Sequence, residues 1–190
     1  PTHNYITGGV FTVSLTASGP GGTDTETKNA YITVYSPVVA SFTSTPTLGI
    51  MPLTVSFSNT STGSYTNLNW DFGDGGTSTA SNPTHVYTSA GTYTVVLTAS
   101  GPGGTSQATA TIDVYIPALA SFSASPTSGI APLNVTFTNT STGNFSSSFW
   151  DFGDGNTSSE INPVHNYSTS GVFTVSLTVT GLGGTDTDVK

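Results

Sequence analysis

The sequence predicts an all-β protein of tandem antiparallel sandwiches, with no helices of note, and three observations carry that expectation. Apolar and hydroxyl residues alternate with a period of two in one segment after another. Gly, Pro and Asn interrupt these segments at short intervals. The whole pattern repeats: Trp70-Asp71-Phe72-Gly73-Asp74-Gly75 returns unchanged as Trp150-Asp151-Phe152-Gly153-Asp154-Gly155, 80 residues on. No segment sustains a 3.6-residue period.

Pro1-Thr2-His3-Asn4-Tyr5 matches Pro83-Thr84-His85-Val86-Tyr87 and Pro163-Val164-His165-Asn166-Tyr167. Residues 1–35 therefore read as the C-terminal part of one repeat, 36–115 as a complete repeat, and 116–190 as a repeat lacking its last strand. In the complete repeat Ala40 and Phe42 begin a strand, and Pro46 to Pro52 reads as a connection. Leu53, Val55 and Phe57 alternate with Thr54, Ser56 and Ser58. The Trp70 strand follows, then a polar loop, the Asn82-Pro83 turn and a short strand from His85 to Tyr87. Tyr93, Val95, Leu97 and Ala99 form the next alternation, and a Gly101-Pro102-Gly103-Gly104 turn leads into Ala108, Ala110, Ile112 and Val114. About seven short strands in such a span make a sandwich. The same alternation returns as Phe11, Val13, Leu15 and Ala17, and as Phe173, Val175, Leu177 and Val179.

In each hexapeptide, Trp and Phe stand two apart on an extended strand and share a face, so both can enter a core. The Asp between them, Asp71 or Asp151, faces the other way. The glycines then permit a left-handed turn, in which Asp74 and Asp154 can accept from nearby backbone as Asx turns. His85 and His165 occupy one slot in each repeat and read as locks on the Asn-Pro turn, bonded to a turn carbonyl or to Asp71 and Asp151.

Ten acidic residues against Lys28 and Lys190 give a formal charge of −8. That surface repels phosphate backbones and anionic bilayers, so neither nucleic acid nor a membrane surface is an expected partner. Charged residues are only 6% of the chain, whereas Ser and Thr fill 64 of its 190 positions. The polar faces are therefore hydroxyl, which suits pleated strands. There is no Cys, and no apolar run approaches the roughly 20 residues of a membrane span.

Trp-Asp-Phe-Gly-Asp-Gly, then Asn-Pro-x-His-x-Tyr, then Gly-x-Tyr/Phe-Thr-Val-x-Leu-Thr, in fixed order and spacing, resembles the PKD (polycystic kidney disease) domain. The resemblance covers essentially the whole chain. It implies an immunoglobulin-like sandwich in an extracellular, secreted or cell-surface protein. Such domains form arrays in surface-layer and adhesion proteins, and accessory modules in secreted hydrolases.

The junctions are short: Tyr35-Ser36-Pro37 and Tyr115-Ile116-Pro117 join strand to strand. Three residues reach at most about 10 Å, and proline stiffens itself and its predecessor. Gly9–Thr16 recurs identically as Gly171–Thr178, and Gly21–Thr25 as Gly183–Thr187, while the middle repeat differs. An array of alternating repeat types is the expectation, completed by further repeats of the same chain or by neighbouring copies that donate a strand head to tail.

Enzyme chemistry is not expected. Asp71-Phe72-Gly73 matches a kinase tripeptide but lacks the lysine and loops that chemistry requires. No Gly-x-Ser-x-Gly or His-Glu-x-x-His occurs. No cofactor is expected beyond one candidate, calcium on Asp154, Asn156 and Glu160, where hard oxygen donors cluster. N-glycosylation sequons stand at Asn59, Asn134, Asn139, Asn144, Asn156 and Asn166. With a third of the positions Ser or Thr, roughly three or four would arise from composition alone. Tyr31, Tyr35, Tyr65, Tyr115 and Phe145 are candidate surface aromatics for glycan or peptide stacking. The sequence thus reads as a structural or adhesive repeat protein forming a stiff rod in a surface layer, stalk or filament. The alternative is an accessory module of a secreted hydrolase that binds polysaccharide or protein.

Overall fold

Phe42, Phe57, Trp70 and Phe72 meet as one aromatic cluster, and that cluster explains how the strands around it are layered. A computed structural model describes all residues, 1–190. Strands β3 (Phe42–Thr45), β5 (Leu53–Asn59) and β8 (Thr84–Tyr87) form one sheet, in the order β3-β5-β8. Strands β4 (Leu48–Ile50), β6 (Asn67–Asp71), β7 (Thr77–Ser78), β9 (Gly91–Gly101) and β10 (Gly104–Tyr115) form another, in the order β4-β10-β9-β6-β7. Trp70 of the second sheet packs edge-on to Phe42 of the first at 5.1 Å and lies 5.5 Å from Phe57. Val55, Phe57, Val95, Leu97, Ala99 and Ile112, the inward half of each alternation, are buried.

The later repeat is built the same way. Strands β11 (Phe122–Ser125), β12 (Leu133–Asn139) and β15 (Val164–Tyr167) form a three-stranded sheet. Strands β13 (Ser147–Asp151), β14 (Thr157–Ser158), β16 (Ser176–Gly181) and β17 (Gly184–Val189) form a four-stranded sheet, ordered β14-β13-β16-β17. Trp150 meets Phe122 edge-on at 5.2 Å and Phe137 at 5.4 Å, inside a core that includes Phe152, Tyr167, Leu177 and Val179.

Residues 1–35 form a hairpin, β1 (Gly9–Gly19) with β2 (Gly22–Val34). Its register slips between Phe11 and Val13, and Ala30 at the slip takes φ 51°. Hydroxyl pairs cross this hairpin at Ser14–Thr27, Thr16–Thr25 and Ser18–Thr23, at 2.9, 2.9 and 3.1 Å. Two more cross β16 and β17, at Thr178–Thr187 and Thr180–Thr185.

By internal contacts the residues gather into two compact units. One comprises Pro1–Thr45, Ser56–His85 and Thr94–Ala110, the other Pro46–Val55, Val86–Tyr93 and Thr111–Lys190.

Three features depart from the sequence reading. The stretch from Pro46 to Pro52, expected as a plain connection, contains β4, which runs parallel to β10 through Leu48–Asp113, Gly49–Val114 and Ile50–Tyr115. Three residues between prolines are too few to show a period, and Leu48 is 55% exposed. The polar loop after the hexapeptide holds β7, only two residues long. Phe173 and Val175 were expected within a strand, yet β16 starts at Ser176. Val175 still exchanges both backbone hydrogen bonds with Lys190.

Candidate functional site

The two acidic turns are the sites the sequence singles out, and each is assembled from a strand end, a glycine turn and the short strand that carries the histidine. Trp70 and Trp150 are fully buried, and Phe72 and Phe152 nearly so. Each indole N–H donates to a loop carbonyl, Ala80 O or Glu160 O, at 2.9 Å. That bond pins the polar loop after the hexapeptide onto the core anchor. It could not be read from the sequence, because a carbonyl partner leaves no residue signature.

Asp71 and Asp151 point outward from the strand ends. Their Oδ1 atoms accept the Gly73 and Gly153 N–H groups at 2.9 Å. Gly73 and Gly153 then take φ +82° and +77°, which reverses the chain. Asp74 Oδ1 accepts the Gly76 N–H at 2.9 Å, and Asp154 Oδ1 the Asn156 N–H at 3.0 Å. These are the expected Asx turns. The histidine contact differs from expectation. His85 Nε2 bonds Asp74 Oδ2 at 2.7 Å and His165 Nε2 bonds Asp154 Oδ2 at 2.8 Å, so Asp71 and Asp151 are not the partners. The reason is directional: the first Asp of the hexapeptide follows the strand outward, while the second comes back after the glycine turn, beside the imidazole.

Each imidazole also stacks on the hexapeptide phenylalanine, His85 on Phe72 at 4.2 Å and His165 on Phe152 at 4.1 Å. Tyr167 donates its hydroxyl to Phe152 O at 3.0 Å. The result is a closed network of ring, carboxylate and turn, with the His and Asp side chains mostly shielded.

Burial pushes the Asp74 and Asp154 carboxyls up. Hydrogen bonds and positive charge from His85 and His165, with the turn N–H bonds, more than offset this and leave both below the ordinary aspartate range. The unfolded chain therefore binds more protons. The stability from these pairs is complete above the ordinary aspartate value of about 3.9 and is lost as pH falls through the folded values. Burial, with the nearby Asp154 charge, pushes the Tyr167 hydroxyl up to about 12. Its contribution is complete below about pH 10 and is lost as pH rises toward 12. Melting curves across pH should show both limbs. Asp154→Asn should flatten the acid limb and Tyr167→Phe the alkaline one; limbs unchanged in both variants would refute the assignment.

Around the candidate calcium residues Asp154, Asn156 and Glu160, no group of three or more His, Cys, Asp or Glu side chains comes together. Both oxygens of Asp154 already accept hydrogen bonds, from the Asn156 N–H and from His165. The backbone carbonyl of Glu160 holds the Trp150 indole instead.

The sequon asparagines divide by environment. Asn134, Asn144, Asn156 and Asn166 are exposed. Asn166 donates to Asn134 at 2.7 Å, and Asn144 Oδ1 accepts the Ile116 N–H at 2.7 Å. Asn59 Nδ2 donates to the Tyr65 hydroxyl at 3.1 Å. Asn139 must be withdrawn as a folded-state glycan site, because its Nδ2 is buried and has no hydrogen-bond partner. Its counterpart shows why: Phe145 stands 80 residues after Tyr65 and lacks the hydroxyl. Phe145→Tyr should satisfy Asn139 and raise unfolding free energy by about 1 kcal/mol, read from urea titration. No gain would mean that the hydroxyl cannot reach. Tyr65 and Phe145 are half-buried, and Phe145 packs on the core, so neither stands free for stacking on a ligand. Tyr31 and Tyr35 are exposed, and Tyr115 is half-buried.

The paired sheets around each tryptophan define the class, a tandem immunoglobulin-like β-sandwich. More narrowly, the PKD domain matches residues 36–116 and again 117–190, so the chain belongs to the PKD domain family. Among solved structures, the PKD1 domain of Vibrio anguillarum Epp is 34% identical, with 44% of this chain and 100% of that chain covered and a TM-score of 0.39. The PKD1 domain of the Vibrio cholerae metalloprotease PrtV is 38% identical, covering 40% and 98%, with a TM-score of 0.33. An I-band fragment of titin is 13% identical over 95% of this chain and 72% of its own, with a TM-score of 0.65, a likeness of fold. No curated protein sequence matches the chain. PKD domains are modules of extracellular proteins and, as a rule, non-catalytic.

Proposed function

We propose that this chain is a stiff spacer in an extracellular surface layer, stalk or filament, with further repeats or neighbouring copies as its partners. The observation that carries this reading is that the two PKD matches abut, one running to 116 and the next starting at 117. Pro117 and the residue before it are restricted by the ring, so an abutting junction is a stiff one. The turn networks support the reading too. Their histidines and carboxylates are spent on each other and on backbone, which makes them fasteners.

Small-angle scattering of the purified chain tests the proposal. A spacer gives an elongated particle with one narrow distribution of dimensions. A broad distribution, as from freely jointed sandwiches, would refute it. Sedimentation with insoluble polysaccharide and with collagen tests the other reading, since saturable binding would mark an accessory module of a secreted hydrolase.

A further inference from the structure

We propose that Asp74 and Asp154 are sites of isoaspartate formation, and that His85 and His165 hold each carboxylate back from that reaction. The histidines then serve the chemical lifetime of the turn as well as its shape.

Asp74-Gly75 and Asp154-Gly155 are the two Asp-Gly bonds of the chain, which has no Asn-Gly. Aspartate followed by glycine rearranges most readily, because glycine has no side chain to shield the peptide nitrogen. The turn does not accept another residue there without strain, since Gly75 and Gly155 take φ +93° and +90°. At either glycine no atom lies within 4 Å of the point a Cβ would occupy, so no packed neighbour blocks that side of the turn. The fold thus places its most labile peptide bond in both acidic turns.

The rearrangement begins when the Gly75 nitrogen attacks Asp74 Cγ. A nitrogen–carbon bond forms, and the amide hydrogen leaves with the carboxyl hydroxyl as one water. Water then adds to the Asp74 backbone carbonyl carbon and breaks its bond to the Gly75 nitrogen. The main chain now runs through Cγ, and the former backbone carbonyl becomes the free carboxyl. One water leaves and one returns, so no other reactant is consumed. The first step needs a neutral carboxyl, whose hydroxyl can depart, and it needs Cγ to turn onto the nitrogen.

The network opposes both requirements. Asp74 Oδ1 accepts the Gly76 N–H at 2.9 Å and Oδ2 accepts from His85 Nε2 at 2.7 Å, so the carboxylate is fixed at both oxygens. Asp154 is fixed the same way by the Asn156 N–H at 3.0 Å and His165 Nε2 at 2.8 Å. The imidazoles are themselves held, stacked at 11° on Phe72 and at 2° on Phe152. Burial pushes both carboxyls up, yet the histidine bonds and the turn N–H bonds outweigh it and favour the ionised, unreactive form. The N–H donors belong to the turn and move with it. The histidines come from separate strands, β8 and β15, and tie each carboxylate to a sheet.

His85→Phe keeps a ring on Phe72 and removes the donor. Parent and variant are held at neutral pH, and isoaspartate at positions 74 and 154 is read by electron-transfer fragmentation of their peptides. H85F should gain isoaspartate at position 74 about tenfold faster than the parent, the factor carried by one hydrogen bond to a charged group. Position 154 of the same molecules should keep the parent's rate, and H165F should reverse the pattern. Val55→Ala distinguishes this from lost stability, because it opens a cavity in the same core and leaves His85 in place. Urea is added to V55A until hydrogen exchange at Val95–Ala99 matches that of H85F. Equal rates at position 74 in these two samples, whatever their folded fraction, would overturn the proposal. So would a folded parent that rearranges as fast as the free peptide Phe-Gly-Asp-Gly-Gly-Thr.

Discussion

Trp150→Ala is expected to lower the unfolding free energy by about 3–5 kcal/mol, the usual cost of deleting a large buried aromatic. Trp150 is fully buried, touches Phe122 and Phe137 from the facing sheet, and donates its indole N–H to Glu160 O. Alanine removes the contact between the sheets and leaves the loop after the hexapeptide without its tether. A small domain has a total stability of only about 5–15 kcal/mol, so this sandwich should lose a large share of its own. Urea titration followed by far-ultraviolet circular dichroism reads the loss, and the fluorescence of the remaining Trp70 separates it from the unfolding of the other core. The reciprocal Trp70→Ala should shift the other transition. An unchanged midpoint in both variants would remove the anchor role.

Gly153→Ala is expected to cost about 2–3 kcal/mol, and Gly155→Ala, two positions away, about 1 kcal/mol. Both glycines have positive φ, +77° and +90°, so both substitutions meet the left-handed penalty. Only at Gly153 would the new Cβ fall 2.3 Å from the Thr174 carbonyl oxygen, a backbone atom that cannot swing aside. Nothing lies near the corresponding point at Gly155. The difference between the two variants thus isolates the close approach of turn and strand from the dihedral cost. Equal losses would show that the approach is looser than the structure has it.

The strands were legible in the sequence wherever one face is buried. Val55 and Phe57, or Leu97 and Ala99, alternate with Thr and Ser because the pleat alternates between core and solvent. Strands without that contrast were not legible. β4 is three residues between prolines and β7 is two residues of Thr and Ser, and neither is long enough to show a period. At the turns, the glycines and the Asx bonds followed from residue type. The histidine partner did not, because choosing between Asp71 and Asp74 depends on where the chain points after a left-handed residue. The orphaned Asn139 was hidden for a similar reason: its missing partner lies on a different segment, at Phe145.

The hydroxyl pairs that cross β1 and β2, and again β16 and β17, have a consequence for the medium in which this protein can work. A charged surface ladder would weaken as dissolved ions screen it, over a range of about 8–10 Å at physiological ionic strength. Ser14–Thr27 or Thr178–Thr187 carries no net charge, so brine leaves such a pair nearly untouched. In Ser14–Thr27, Thr16–Thr25, Ser18–Thr23 and Thr178–Thr187 either oxygen can be the donor, so the proton can reverse its direction without moving a heavy atom. The strands are therefore fastened by contacts that tolerate fresh water and concentrated salt alike.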